Sequence, residues 1–311
     1  MAVSNVRTDT EKSTGAPEPA PAAAPSASRG TTLSPETAFG APRDFLDNRF
    51  VYVVISPRAR GLSVGINMNP DKRCNFDCLY CEVQRNVPPR ETHLDVRVMA
   101  AELQRTLDRV RSGQLRDRPL YRGLPPELLE LKHVALSGDG EPTLCPNFAE
   151  AVEEVVHIRA LREFFKLVLI TNATELDRPE VQAGLRHFTR SDEIWAKLDG
   201  GTQAYLDKVS NVHVPLEKIL HNILTLGRQR PIIIQSLFPS IRGEEPPEEE
   251  ILAFAHRLRE LKQAGAQIEL VQIYSATRPS PKSDYGHLPL RSLSRIAQTV
   301  RVVAGLKAEV F

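Results

Sequence analysis

The chain has 311 residues, and 40 Lys and Arg against 39 Asp and Glu give a formal net charge of +1 at pH 7. This balance excludes a global field that recruits nucleic acid or anionic membrane, although it leaves a local RNA contact open. Four cysteines, three of them clustered, do not form the paired framework of a secreted disulfide protein. The N-terminus has no apolar signal-peptide core, and no apolar run approaches the roughly 18 residues that span a bilayer. A soluble cytoplasmic protein is therefore expected.

Residues 1–42 form a low-complexity segment rich in Pro, Ala, Ser and Thr. A segment with so few apolar side chains cannot offset the entropy that it loses on ordering. The sequence therefore predicts a disordered tail over 1–42 and a folded domain over 43–311.

Short apolar runs alternate with amphipathic segments in the rest of the chain. Strands are predicted near 50–55, 62–67, 132–137, 166–171, 193–198, 231–237 and 267–274. Helices are predicted near 96–111, 147–161 and 178–187, within 202–228, and near 248–264 and 292–304. Several strands are apolar on both faces, which is typical of a parallel sheet covered by helices. The six strand–helix units that begin at 62–67 indicate an α/β fold, either a doubly wound sheet or a barrel with fewer than eight units.

Three cysteines, Cys74, Cys78 and Cys81, follow the strand at 62–67 with the spacing Cys-x3-Cys-x2-Cys. Soft thiolates select iron–sulfur clusters, zinc or copper(I), so the spacing alone does not identify the metal. Three thiolates around a four-iron cluster leave one iron open to a small molecule, whereas a fourth ligand closes the site. Cys145 is expected to be an inert buried thiol, with the role of fourth ligand as the alternative. The eight histidines show no paired spacing typical of metal ligands.

Polar residues follow each predicted strand where it ends. Beyond the cysteines they are Gly138, Asp139, Gly140 and Glu141, then Thr171 and Asn172, Lys197 and Asp199, Gln235 and Ser236, and Tyr274 with Arg278. The carboxyl ends of parallel strands meet at one edge of a sheet, where ligands bind. A purely structural role is the alternative to ligand binding for some of these residues. Thr171 and Asn172 can form a turn or a helix cap, and Lys197 and Asp199 can form an ion pair on one face of a strand.

Two arginines, Arg58 and Arg60, lie in the turn predicted between the first two strands. They are either solvated turn residues or contacts for an anionic substrate group.

The segment Asn75–Cys81, with Tyr80 as the aromatic residue before the third cysteine, resembles the motif of the radical S-adenosylmethionine (SAM) superfamily. The turn at 138–141 is similar to the Gly-Gly-Glu motif of that family, with Asp139 where the family usually has glycine. From about Phe50 onward the chain resembles bacterial radical SAM proteins grouped with the wybutosine-synthesis enzymes. The shared elements are Asn75–Cys81, Gly140–Thr143 and Tyr274–Pro279.

The resemblance implies a six-unit partial (βα)6 barrel over about 60–275, followed by a C-terminal helix extension. It implies a [4Fe-4S] cluster on Cys74, Cys78 and Cys81, SAM as a second cofactor, and a ferredoxin- or flavodoxin-like electron donor. The implied SAM site includes Tyr80, the turn of Gly138, Asp139, Gly140 and Glu141 at the methionine amino group, and Thr171 and Asn172 near the ribose. Lys197, paired with Asp199, is a candidate for the SAM carboxylate or a substrate phosphate, and Gln235 lies near the position of the family's adenine contact.

Several functions remain open on these grounds. The first is a radical SAM enzyme whose substrate is a small molecule, a peptide or tRNA, including a wybutosine-like enzyme that modifies a tRNA base. The second is a non-enzymatic iron–sulfur or zinc protein closed by Cys145. Polar residues at every strand end favour the enzyme, and the lack of a basic or aromatic single-strand platform gives no support for RNA. Tyr274 and Arg278 are candidates for substrate binding or hydrogen-atom relay.

Overall fold

The computed structural model describes residues 1–2, 45–212, 214–277, 282 and 285–311. The predicted tail at 1–42, apart from its first two residues, lies outside this part of the chain, and so does Arg278. Phe45 and Phe50 are both almost fully buried, so the hydrophobic core already includes the first residues of the described domain. Within the described ranges, no helix combines the length and the apolar character needed to cross a membrane.

The described strands form one large sheet and one small one. The large sheet consists of β1 (Val51–Ser56), β2 (Gly61–Asn67), β3 (Leu131–Ser137), β4 (Leu167–Thr171), β5 (Glu193–Lys197), β6 (Ile232–Leu237), β8 (Ile268–Tyr274) and β10 (Ala308–Val310), in that spatial order. β1 is antiparallel to β2, and every later pair is parallel. The small sheet pairs β7 (Ser240–Ile241) with β9 (Tyr285–Gly286). The predicted α/β class with a mostly parallel sheet is confirmed.

The helices lie where the hydrophobic periodicity predicts them, except α2, a single turn that was not predicted. They are α1 (Val96–Arg111), α2 (Pro119–Arg122), α3 (Phe148–Leu161), α4 (Pro179–Leu185), α5 (Gln203–Ser210), α6 (Leu216–Gln229), α7 (Glu248–Gln263) and α8 (Leu290–Ala304). α1 begins after Asp95, whose carboxylate accepts hydrogen bonds from the backbone N–H groups of Arg97 and Val98. The helical stretch predicted within 202–228 is two helices, because Asn211 takes a left-handed conformation (φ 43°) at the end of α5.

The large sheet is covered on one face by helices, and its other face carries a second apolar cluster. The main hydrophobic core lies between the sheet and the helices. The second cluster joins Ala135, Val168, Trp195 and Ile233, which come from four successive strands. Side chains two residues apart on a strand share a face, so Lys197 of β5 lies on the same face as Trp195. We call this second face of the sheet the inner face.

The two edges of the large sheet approach each other. Arg60, in the turn between β1 and β2, donates a 2.7 Å hydrogen bond to the Glu309 carboxylate on β10. Because β1 and β10 are the edge strands, this ion pair requires the sheet to curl. Closure into a partial barrel of six units stays a prediction. β10 was not predicted, because a strand of three residues is too short to show periodicity.

Candidate functional site

The cysteine loop, residues 74–81, follows β2 and is anchored to the end of α5 by its backbone. The N–H of Asp77 donates to the carbonyl of Ser210 at 3.0 Å, and the N–H of Leu79 donates to the carbonyl of Val209 at 2.8 Å. The last carbonyl groups of a helix have no partner within the helix. The cysteine loop therefore supplies hydrogen-bond donors to the last carbonyl groups of α5, and these bonds hold the loop in place.

A second anchor comes from the connection between β8 and α8. Lys282 donates to the carboxylate of Asp77 and to its backbone carbonyl, both at 2.8 Å. The hydrogen bond and charge of Lys282 lower the pKa of Asp77. Lys282 thus contacts the cysteine loop.

The thiols of Cys74, Cys78 and Cys81 are unpaired and partly exposed. Burial raises the pKa of Cys74, and the backbone N–H of Phe76 and the charge of Arg85 oppose that rise. Burial, with the nearby Asp199 carboxylate, raises the pKa of Cys78 to about 12. Since the thiolate is the metal ligand, metal binding at this loop must release protons.

Arg85 is a site residue that the sequence analysis missed. It lies beside the thiols of Cys74 and Cys81, and one of its terminal nitrogens donates to the carbonyl of Phe76 at 3.1 Å. A guanidinium stabilises thiolates electrostatically, so Arg85 is suited to a loop that binds metal. Nothing in the motif marks it, although it is the first cation after Cys81 in the sequence.

The turn at 138–141 packs directly against the cysteine loop. A Cβ atom on Gly140 would lie 2.0 Å from the carbonyl oxygen of Arg73, so only glycine fits there. The adjacent Glu141 N–H donates to the same carbonyl at 2.9 Å. Gly138 has a φ of 146°, which favours glycine. The two segments that carry the family resemblance are therefore in contact.

Asp139 is held by the end of β2. Asn67 donates through its side-chain nitrogen to the Asp139 carboxylate at 2.7 Å, and its side-chain oxygen accepts from the Asp139 N–H at 2.9 Å. This paired contact fixes the turn without a glycine at that position.

Glu141 is buried, and both of its carboxylate oxygens accept hydrogen bonds from the protein. Oε1 accepts from the N–H and the hydroxyl of Thr143 at 3.1 and 2.7 Å, and from the hydroxyl of Thr171 at 2.5 Å. Oε2 accepts from the N–H of Asn172 at 2.7 Å. Burial raises the pKa of Glu141, while these donors act in the opposite direction. The carboxylate thus links the ends of β3 and β4, and its contact with a SAM ammonium stays a prediction.

Asn172 connects β4 to the cysteine loop. Its side-chain nitrogen donates to the side-chain oxygen of Asn75 at 2.7 Å, and Asn75 in turn donates to the hydroxyl of Thr174 at 2.7 Å. The side-chain oxygen of Asn172 accepts from the same hydroxyl at 2.8 Å. Through Asn172 and Glu141, one hydrogen-bonded network joins three of the predicted segments.

Lys197 and Asp199 form the ion pair considered from their spacing. Lys197 Nζ lies 3.3 Å from Asp199 Oδ2, and that oxygen also accepts from the hydroxyl of Tyr80. Asp199 Oδ1 accepts from the N–H of Leu237 at 2.9 Å. Lys197 donates further to the hydroxyl of Tyr274 at 3.2 Å. Burial alone lowers the pKa of Lys197, but Asp199 and Tyr274 outweigh it and raise that pKa, so Lys197 stays protonated.

The other predicted residues lie at or near this edge with separate partners. Gln235 donates to the side chain of Gln272 at 3.2 Å, and Ser236 donates to the carbonyl of Leu198 at 2.6 Å. Cys145 is buried, donates to Asn147 Oδ1 at 3.1 Å, and has its pKa raised to about 11 by burial. Within the described ranges, no three His, Cys, Asp or Glu side chains stand close enough to hold a single metal ion.

No protein-family model matches the chain. Two solved structures share its fold. The first is a radical SAM methyltransferase from Sphaerobacter thermophilus, with a TM-score of 0.57 and 16% identity over 84% of this chain and 68% of that one. The second is TYW1 with a lysine-pyruvate adduct bound, with a TM-score of 0.52 and 19% identity over 81% of this chain and 84% of that one. The chain has the fold of radical SAM enzymes, and the resemblance to that superfamily predicted from the motifs is confirmed at this level.

Relatives by sequence carry a family designation in their names. The UPF0026 protein of Helicobacter pylori strain J99 is 22% identical over 227 residues, which cover 71% of this chain and 66% of that protein. The UPF0026 protein of Methanocaldococcus jannaschii is 26% identical over 212 residues, which cover 67% and 59%. The chain thus spans less than two thirds of the length of these relatives.

Proposed function

We propose that this chain is a radical SAM enzyme, in which Cys74, Cys78 and Cys81 hold a [4Fe-4S] cluster that cleaves SAM reductively. The observation that carries the proposal is the packing of the turn at 138–141 on the cysteine loop, through Gly140 and the carbonyl of Arg73. Both segments follow parallel strands at their carboxyl ends, where ligands of α/β folds bind.

The donor set fits an iron–sulfur cluster by its chemistry. Thiolates are the ligands of such clusters, and all three candidates come from one loop with Arg85 beside two of them. The fourth cysteine, Cys145, donates to Asn147 and is buried. This environment favours three protein ligands and an open iron over a closed site.

When bound, the cluster supplies the electron that splits SAM into methionine and a 5′-deoxyadenosyl radical, which removes a hydrogen atom from the substrate. The proposed source of that electron is a ferredoxin- or flavodoxin-like protein. The chain's own residues bind and orient the cofactors and the substrate, and they exclude water from the site. The candidate substrates are a small molecule, a peptide and a tRNA base.

The network around Glu141 gives the proposed SAM site its rigidity. Glu141 and Asn75 hold Thr171 and Asn172 in place, so the groups proposed to contact ribose are oriented before the ligand arrives. Asp199 fixes the hydroxyl of Tyr80 beside the cluster ligands. Lys197 is a protonated donor for a carboxylate at the same edge.

The test is anaerobic reconstitution of the full chain with iron and sulfide, followed by reduction with dithionite and addition of SAM. We expect SAM to change the EPR spectrum of the reduced cluster and 5′-deoxyadenosine to form. Cys78→Ala should lose both the cluster absorbance and SAM cleavage. Cys145→Ala is the matched control and should keep both. A cluster that ignores SAM, or a Cys145→Ala variant that loses its iron, would instead support a closed, non-enzymatic site.

A further inference from the structure

Arg58 is a half-buried cationic side chain without an anionic partner among the described residues. It lies in the turn between β1 and β2, and its Nε atom is buried with no hydrogen-bond partner among the described residues. Its guanidinium carbon lies 4.2 Å from the centre of the Tyr274 ring at the end of β8. A cation–π contact offsets part of the cost of burying a guanidinium, but it leaves the Nε donor unsatisfied.

The neighbouring arginine of the same turn shows the contrast. Arg60 is 72% exposed and forms an ion pair with Glu309. Arg58 is half-buried and forms no ion pair with any residue in the described part of the chain. Arg58 therefore contacts Tyr274 of β8, whereas Arg60 contacts Glu309 of the edge strand β10.

A second cation lies at the same tyrosine. Lys197 Nζ is 3.2 Å from the hydroxyl of Tyr274 and 5.6 Å from the centre of its ring. The Asp199 carboxylate balances the charge of Lys197 but not that of Arg58. The three charged groups therefore leave one uncompensated positive charge, and Lys197 and Tyr274 add polar hydrogens beside it.

We propose that Arg58, Lys197 and Tyr274 form a subsite for an oxyanion group of the substrate, either a carboxylate or a phosphate. Arginine binds both groups through its planar fork, and a charge-assisted bond to Nε satisfies the donor that the protein leaves unpaired. The assignment of this anion to the substrate rests on the proposed radical SAM function. Because Lys197 is also a candidate for the SAM carboxylate, the experiment has to separate the substrate anion from SAM.

The experiment is calorimetric titration of the reconstituted full chain with succinate and, separately, with inorganic phosphate, in the presence of saturating SAM and at constant ionic strength. We expect one of the two probes to bind saturably with a dissociation constant on the order of 1 mM. The stronger probe identifies the anion as carboxylate or phosphate. Arg58→Gln should weaken that binding by about tenfold or more, since it removes the fork and the charge. Arg60→Gln, in the same turn, is the matched control and should bind as the unaltered chain does.

A spectroscopic readout on the unaltered sequence locates the anion independently of any variant. The chain has one tryptophan, Trp195, whose ring lies edge-on to His133 at 5.4 Å, and Arg58 acts electrostatically on His133. The ¹⁹F resonance of a fluorotryptophan-labelled chain should therefore shift as the probe binds. Binding without such a shift would place the anion elsewhere and overturn the proposal.

Three other results would also overturn the subsite: no saturable binding either with or without SAM, equal losses in Arg58→Gln and Arg60→Gln, or probe binding that is seen only when SAM is omitted. The last result would assign Arg58 to the SAM carboxylate. Failure of the radical mechanism is seen separately, as the absence of 5′-deoxyadenosine. Anion binding that persists in a chain unable to cleave SAM would support the subsite while refuting the proposed reaction.

Discussion

Replacing Gly140 with alanine tests the contact between the turn at 138–141 and the cysteine loop. The added methyl carbon would lie 2.0 Å from the carbonyl oxygen of Arg73 and 2.6 Å from Cβ of Asn69, where real contacts stay above 3.0 Å. The two segments must therefore separate by about 1 Å, because a carbonyl of the main chain cannot rotate away as a side chain does. That displacement also stretches the hydrogen bond from Glu141 N–H to Arg73.

The expected cost follows from these two effects. Overpacking of a buried contact costs about 1–3 kcal/mol, and the weakened hydrogen bond adds about 1 kcal/mol, so unfolding should become easier by about 2–4 kcal/mol. Cys74 follows Arg73 directly, so the displaced loop should also bind less iron. Urea unfolding gives the first quantity, and iron per chain after anaerobic reconstitution gives the second.

Gly123→Ala is the matched control for this substitution. No atom lies within 4 Å of a Cβ at Gly123, and its φ of −91° suits any residue. We expect its free energy of unfolding to change by less than about 0.5 kcal/mol. If Gly140→Ala matched this control in stability and iron content, the argument that the two motifs are locked together would be refuted.

Three further predictions concern buried or charged groups near the site. Burial lowers the pKa of His133 to about 3, so folding keeps this side chain neutral. The free energy of unfolding should therefore fall as the pH drops below the unfolded pKa of about 6.5, by about 2 kcal/mol at pH 5. His133→Phe should remove that part of the pH dependence in urea unfolding. The same slope in both proteins would contradict this account. Glu141→Gln places an amide nitrogen opposite backbone and hydroxyl donors and should lower the free energy of unfolding by about 2–3 kcal/mol. A stability equal to that of the unaltered chain would show that the carboxylate does not link the ends of β3 and β4. Arg85→Gln removes a positive charge beside Cys74 and Cys81. It should lower the reduction potential of the bound cluster by on the order of 50 mV, measured in an EPR-monitored titration. An unchanged potential would place Arg85 outside the site.

The sequence by itself determined the features that depend on local spacing. The helix predicted at 96–111 is observed as Val96–Arg111, and the strand predicted at 193–198 as Glu193–Lys197, because hydrophobic periodicity and caps act within one element. The cysteine spacing and the polar residues at strand ends were visible for the same reason. Parallel strands then bring their carboxyl ends to one edge whatever the details of packing.

Only the tertiary structure decided which side chains meet. Arg60 and Glu309 are 249 positions apart, and their ion pair exists because the sheet curls until its edges approach. Arg58 contacts Tyr274 while Arg60 contacts Glu309, although the two arginines have nearly the same sequence environment. Glu141 was assigned to a ligand by its motif, yet its burial beside Thr171 and Asn172 gives it protein partners. Such contacts depend on strand order and on distant side chains, and neither property is expressed in the local pattern of residues.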